Sequence, residues 1–264
     1  MFKVKILADS ITQYGDRLTT IEATYPRFIH SEIMTHREFS RNSASSRAIP
    51  AEKMLKNIID NPVIPIHWGK NQSGMQAYSE IEDKSNAIEI WKENCSQAID
   101  AAKKMQALGV HKQIINRIVE PYMWITTIIS STNWKHFYNL RVNPEAEPHI
   151  QKIASMIKEK IDSSTPTIVN DGEWHLPLIL PEEQDLAIDT LKKVSVARCA
   201  RVSYLTHDGT RDLNKDIELY TKLVTSKHWS PLEHVATPAP SKSRHGNFIG
   251  WLQHRKQFAD EHLI

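Results

Sequence analysis

Between Thr35 and Arg47 the chain reads Thr-His-Arg-Glu-Phe-Ser-Arg-Asn-Ser-Ala-Ser-Ser-Arg, residue types that can do chemistry together. As a pattern this is H-R-x-x-S-x-N-x-x-S-x-R, carried by His36, Arg37, Ser40, Asn42, Ser45 and Arg47. It offers permanent cations, an imidazole, an amide and hydroxyls within about four turns if helical. A guanidinium grips phosphate through two parallel hydrogen bonds, so the set suits one or two phosphate-bearing ligands side by side. The stretch from Arg27 to Arg47 holds four arginines (27, 37, 41 and 47) with His30 and His36, against only Glu32 and Glu38. A cluster of that kind alone reads equally well as a solvated face; the motif tips the balance.

The elements that must position these residues are legible in part. Phe2, Val4 and Ile6 alternate with lysines and predict an edge strand. Ile21, Ala23 and Tyr25 predict a second strand that stops at Pro26. Phe28 to Thr35 reads as a helix with His36 and Arg37 at its end, and Ser40 to Ser46 as a loop or helix entry with accessible amides. Residues 61–76 read as a long loop. Ala87, Trp91, Cys95, Ala98, Ala102 and Met105 share a helical face that Gly109 ends. Pro121 breaks a helical stretch around Arg117. Asn143-Pro144 reads as an N-cap and first helical position, followed by Ile150, Ile153, Ala154, Ile157 and Ile161 on one face. Residues 162–181 are the best linker candidate, a helix starts near Pro181, and Asp212 can cap another. The segment from Thr237 to Ser243 is loop-like.

Composition bounds the class. The 264 residues have 40% hydrophobic and 24% charged content and a net charge of +2, an ordinary globular balance with no global field for nucleic acid. The apolar run from Tyr122 to Ile129 is too short to span a bilayer, and the N-terminus lacks a signal-peptide layout, which points to the cytoplasm. Two cysteines make no disulfide framework. Cys95 reads as packing, and Cys199, between two arginines, as a thiol whose pKa they could lower. The histidines are scattered without an H-x-x-x-H pair, and His207-Asp208 lacks a matching partner, so no metal is expected.

Three further segments complete a pattern. Ala200-Arg201-Val202-Ser203-Tyr204 precedes His228-Trp229-Ser230-Pro231-Leu232-Glu233-His234-Val235. Asn116-Arg117-Ile118-Val119-Glu120-Pro121 precedes Thr132-Asn133-Trp134-Lys135-His136-Phe137-Tyr138-Asn139-Leu140-Arg141. Together with the segment at 35–47, these resemble the flavin-dependent thymidylate synthases, whose signature is R-H-R followed by S-x-N-x-x-S-x-R. The other segments are similar to the family's A-R-V-S-Y, H-x-[ST]-P-x-E-H-[VI], A-R-x-x-L-P and N-x-R-x-x-x-x-F-x-x-L-R. The resemblance implies an α/β fold with a mostly antiparallel sheet flanked by helices. It also implies transfer of a one-carbon group from methylenetetrahydrofolate to C5 of dUMP, with FAD and NADPH as reductants, in a homotetramer with interfacial sites. His36, Arg37, Ser40, Asn42, Asn133, His136, His228, Ser230 and Glu233 would contact FAD. Ser45, Arg47, Arg117 and Arg141 would hold dUMP, with Arg141 beside the pyrimidine as the catalytic charge.

The order is unusual: the A-R-V-S-Y and E-H segments follow the signature instead of preceding it. We read one domain, 1–264, that is circularly permuted, with a signature and dUMP-side half at 1–161 and a flavin-side half at 182–264. Gln253-His254-Arg255 and Glu261 then read as the trimmed remnant of a second signature. Thr35 stands for the signature's first arginine, Glu32 for a glutamine, Ser43 for a glutamate and Glu145 for a histidine. These departures leave open hydroxymethylation, a different pyrimidine nucleotide, or a non-catalytic nucleotide- or RNA-binding relative. Singly, His36 can be a helix cap and Arg117 and Arg141 ion-pairing residues; jointly, their spacing favours a site.

Overall fold

Gly15, at φ +90°, turns the chain between two long strands, β1 (Lys3–Thr12) and β2 (Arg17–Pro26), which pair antiparallel from Lys3↔Thr24 to Ile11↔Arg17. The computed structural model describes residues 1–202 and 211–261. With β3 (Ser40–Ser43), β4 (Trp124–Ser131) and β5 (Thr167–Val169) this hairpin extends into a five-stranded sheet of order β3-β4-β2-β1-β5. β4 lies antiparallel to β2, and β3 antiparallel to β4 with Ser40 opposite Ser130 and Ser43 opposite Thr127. β5 runs parallel to the end of β1, so β1 is an edge strand only along its first part. The fold is therefore α/β with a mostly antiparallel sheet flanked by helices.

Strand alternation sends the two faces to different cores. On one face, Ile21, Tyr25, Ile125 and Ile129 pack with Ile33, from α1 (His30–Met34), with Phe137, from α5 (Lys135–Arg141), and with Ile150, Ile153 and Ile157, from α6 (Pro148–Asp162). The other face meets the C-terminal region. Ile128 packs with Cys199 and Val202, and Leu18 with Val169, Ala236, Phe248 and Trp251. Beyond the sheet's end, α2 (Ala51–Asp60), α3 (Lys84–Ala107) and α4 (Lys112–Ile118) share a separate core of Met54, Leu55, Ile58, Ile99, Ala102, Ile115 and Met123.

In the C-terminal region α7 (Ile188–Ala200) and α8 (Leu213–Thr225) are joined by buried charge. Arg198 donates to Asp216 at 3.0 Å and to Glu183 at 2.6 and 2.5 Å. Asp216 also meets Arg201 at 2.9 Å. Short strands β6 (Ala236–Pro238) and β9 (Trp251–Gln253) pair antiparallel, flanking a small hairpin of β7 (Arg244–His245) and β8 (Phe248–Ile249). This end clasps the first hairpin. The Trp251 indole donates to the Asp16 carbonyl at 3.0 Å. Gly250, at φ +71°, lies so close that a Cβ there would meet the Asp16 side chain at 2.4 Å.

Four expectations change. Ser40–Ser43 is a strand, because its backbone completes the open edge of β4 although its side chains are polar. Asn143 does not cap a helix. Its side chain accepts from the Glu145 amide, while Glu147 caps α6 by accepting from His149 and Ile150, with Pro148 at the first turn. Residues 162–181 are no linker: β5 and the fully buried His175 lie within them. Burial raises the Cys199 thiol pKa, and its neighbouring arginines turn to Asp216 and Glu183, so it is an unreactive core residue. Ser203, Tyr204, His207 and Asp208 lie outside the described residues. Among the described residues no helix is long and apolar enough to cross a membrane.

Candidate functional site

The pleat of β3 divides the signature. Ser40 and Asn42 face the C-terminal region; Arg41 and Ser43 face the helices of the first core. On this second side the chain leaves β3 and turns at Ser45, whose carbonyl accepts from the amides of Ala48 at 3.0 Å and Ile49 at 3.3 Å. The turn walls a cavity of ≈ 280 Å³ whose lining includes Arg27, His30, Ser43, Ser45, Arg47, Arg117 and Glu120.

Three arginines and one carboxylate line this cavity. Glu120 sits between Arg27 at 3.7 Å and Arg117 at 3.9 Å. Both distances exceed a hydrogen bond, so the guanidinium donors remain available to a ligand. His30 is tied through Nδ1 to the Tyr25 hydroxyl at 2.9 Å. Burial, then Arg27 and Arg41, pull its pKa down to about 4, so it lines the cavity as a neutral imidazole. Tyr25 also meets Thr127 at 2.8 Å, and Thr127 meets Ser43 at 3.0 Å. The surplus of positive charge suits a phosphate dianion.

A second cavity of ≈ 380 Å³ adjoins it, sharing Ala44, Ile49, Met54, Met123 and Trp124. No arginine or lysine lines it; Asn57, Asn61, Thr24, Thr126 and Asp60 supply its polar groups. The Trp124 indole is fixed by donating to the Asn61 carbonyl at 3.1 Å. A cationic chamber therefore lies beside one that lacks cationic side chains, with Trp124 in the wall of both.

On the other face of β3 the polar groups satisfy one another. Ser40 donates to Glu233 at 2.6 Å and accepts from Asn247 at 3.0 Å and Gln253 at 3.2 Å. Glu233 also pairs with Arg255, which pairs with Glu261 at 2.7 Å. Ser230 begins the 3-10 turn Ser230–His234 that carries Glu233.

The remaining candidates lie elsewhere. Arg141 does not line the cavity. Its guanidinium donates to His36 Nε2 at 3.1 Å and reaches Glu32 and Thr35 at 3.4 Å each. His36 is buried and neutral, its pKa pulled down to about 4 by burial and then by Arg141, His136 and Arg41. Arg37, His136 and His228 are exposed, and Asn133 is partly so. The structure thus brings Ser45, Arg47 and Arg117 into one cavity, sets Ser40, Asn42, Ser230 and Glu233 behind it, and leaves Arg141 with His36. Sequence reading placed Arg27 and His30 in a basic cluster without assigning them to the site. Their signal was local: both follow Pro26, where β2 delivers the chain to the cavity. Glu120 had a signal too, in the Asn116–Pro121 segment, and went unassigned. Among the described residues no cluster of His, Cys, Asp or Glu is arranged to hold a metal.

No curated protein matches the chain. Among solved structures it is similar to the crystal structure of a UMP/dUMP methylase PolB from Streptomyces cacaoi bound with 5-Br UMP, at 13% identity and TM-score 0.45, over 61% of this chain and 88% of that one. Residues 18–167, more than half of the chain, match the family described as Thymidylate synthase complementing protein. That span carries β2, the signature strand, Arg117 and Arg141, and the chain belongs to this family.

Proposed function

We propose that the chain is an enzyme that binds dUMP through the arginine-lined cavity and receives a one-carbon group at C5 of the pyrimidine from methylenetetrahydrofolate, with FAD and NADPH as reductants. One observation carries the nucleotide reading: a cavity with surplus positive charge adjoins one that no arginine or lysine lines, with Trp124 in the wall of both. A phosphomonoester carries a charge of about −1.5 to −2 near neutrality, which Arg27, Arg47 and Arg117 offset beside Glu120. A flat base stacks on an indole, and the side-chain amides of Asn57 and Asn61 offer a donor beside an acceptor, the pattern a pyrimidine edge requires. Family membership supports the thymidylate chemistry.

FAD, when bound, supplies the hydride chemistry. The positions matching the family's flavin contacts do not make a cradle within one copy. Ser40, Asn42 and Glu233 bond to protein partners, and Arg37, His136 and His228 face outward. Flavin binding is therefore assigned to an interface between copies in a homotetramer. The segment order is assigned to a circular permutation: the family match ends at residue 167, yet the turn at 230–234 packs on β3.

The test is mass analysis of the product after incubation with dUMP or dCMP, methylenetetrahydrofolate, FAD and NADPH. A product heavier than dUMP by one CH2 unit is expected, the net change when a methyl group replaces the hydrogen at C5. A hydroxymethyl product, or turnover of dCMP alone, would replace the substrate or the outcome. Absence of any turnover in flavin-loaded protein would leave the chain a nucleotide-binding relative.

A further inference from the structure

Two buried histidines, one of them in no motif, are linked through the sheet. His175 contacts Ser10 through Nδ1 at 2.8 Å and Thr20 through Nε2 at 2.7 Å. Thr20 meets Ser130 at 2.6 Å, and Ser130 meets His234 Nδ1 at 2.8 Å. His234 Nε2 lies 3.0 Å from the Asn42 side chain. The chain of bonds crosses β1, β2 and β4 to β3, and its side chains all project from the sheet face that meets the C-terminal region.

The Asn42 amide fixes its direction. With the nitrogen inward, Asn42 donates to His234 Nε2 at 3.0 Å, to the Ser230 carbonyl at 3.3 Å and to the Arg41 carbonyl at 3.1 Å. Turned the other way, its oxygen would oppose two carbonyls. His234 Nε2 is then an acceptor, and a neutral imidazole carries its one proton on Nδ1. Nδ1–H donates to Ser130, Ser130 to Thr20, Thr20 to His175 Nε2, and His175 Nδ1–H to Ser10. Each hydroxyl has one proton to give, so a single orientation satisfies the whole series. Both rings are fully buried, and burial keeps both neutral.

We propose that His175 is a positioning residue for the nucleotide site, acting through this polarised relay on the signature strand. His175 is also bridged by its backbone to Ala236, just after the 230–234 turn. Asn42 lies three positions before Ser45, so a shift of Asn42 moves the strand that delivers Ser45 and Arg47 to the cavity. Asn42 and His234 are thereby committed to holding the strand against the Ser230 turn. The functional part of this inference rests on the nucleotide reading; the relay does not.

The test has two arms. Nitrogen-15 NMR of the imidazoles reads the tautomers without any ligand: Nδ1–H on both His175 and His234 is expected, and Nε2–H on either overturns the relay. In the second arm, His175→Gln and His175→Asn are compared by melting temperature and by dUMP affinity. Gln reaches the Nε2 position and can accept from Thr20; Asn reaches only the Nδ1 position. Gln should therefore bind dUMP within about threefold of the parent and Asn about tenfold more weakly, one hydrogen bond's effect, at similar melting temperatures. Equal losses in both variants would reduce His175 to a structural residue. Failure of the parent to bind dUMP would sink the nucleotide reading and the positioning role, while the tautomers would still decide whether the relay exists.

Discussion

The chain uses arginine in two opposite ways. Arg198, between α7 and α8, is 1% exposed and spends its guanidinium on Glu183 and Asp216. Arg117, in the cavity, is 59% exposed and meets its carboxylate at only 3.9 Å. A saturated arginine contributes to one packing arrangement and has little left for a ligand. An unsaturated one contributes little to stability and keeps donors in reserve. The difference lies in the ratio of carboxylates to arginines and in how closely each cluster is drawn.

Breaking the saturated cluster should have the largest effect. Arg198→Ala leaves buried Glu183 without its cation and Asp216 with only Arg201, and should cost about 3–5 kcal/mol, read as a loss of the cooperative unfolding transition or a steep fall in its midpoint. Arg198→Met, which fills much of the space but still strands Glu183, should recover little. Arg47→Ala and Arg117→Ala should barely move the midpoint, yet each should weaken dUMP binding about tenfold or more, as loss of a charge-assisted contact does. A stability loss comparable to that of Arg198→Ala would erase the distinction.

Arg47→Lys sharpens it, since it keeps the charge and loses the fork. An intermediate loss of dUMP affinity is expected, and full retention would show that charge alone suffices. The acid limb of stability is a smaller effect. Burial pulls the pKa values of His175 and His234 down to about 3. Below about pH 6.5 the unfolded chain takes up protons that the folded chain refuses. These histidines therefore contribute stability that is complete above that pH and lost progressively as pH falls toward 3. Urea midpoints measured from about pH 7 to about pH 5 should decline, and His175→Gln should flatten the decline. Salt should separate dUMP from RNA as the cavity's ligand, because a mononucleotide lacks the condensed counterion atmosphere that makes polymer binding fall steeply with salt.

Sequence pattern carried the elements whose signals are local. Pro26 ended β2, Gly109 ended α3, and Asp212 capped α8 by accepting from Asn214 and Lys215. It failed where pairing from elsewhere decided the conformation. Ser40–Ser43 has no alternation to show, and only β4 makes it a strand. Asn143-Pro144 and Glu147-Pro148 offer similar start signals, and packing of the Ile150 face chose the later one. His175 carried no pattern because its partners Ser10 and Thr20 are |i−j| = 165 and 155 away. The site was half legible for the same reason. The family resemblance grouped Ser45, Arg47 and Arg117, which line one cavity, but a strand's pleat, invisible until Ser40–Ser43 is known to be one, turned Ser40 and Asn42 away from them.

The clasp at Asp16 has a consequence for how the polypeptide is made. The tip of the first hairpin emerges in synthesis before Trp251, which holds the Asp16 carbonyl from |i−j| = 235 later. Until that late segment arrives, Leu18 and its neighbours have no cover from Phe248 and Trp251. A nascent chain stalled or cut before Gly250 would therefore present an apolar sheet face to its surroundings, the kind of surface that chaperones capture and aggregates recruit.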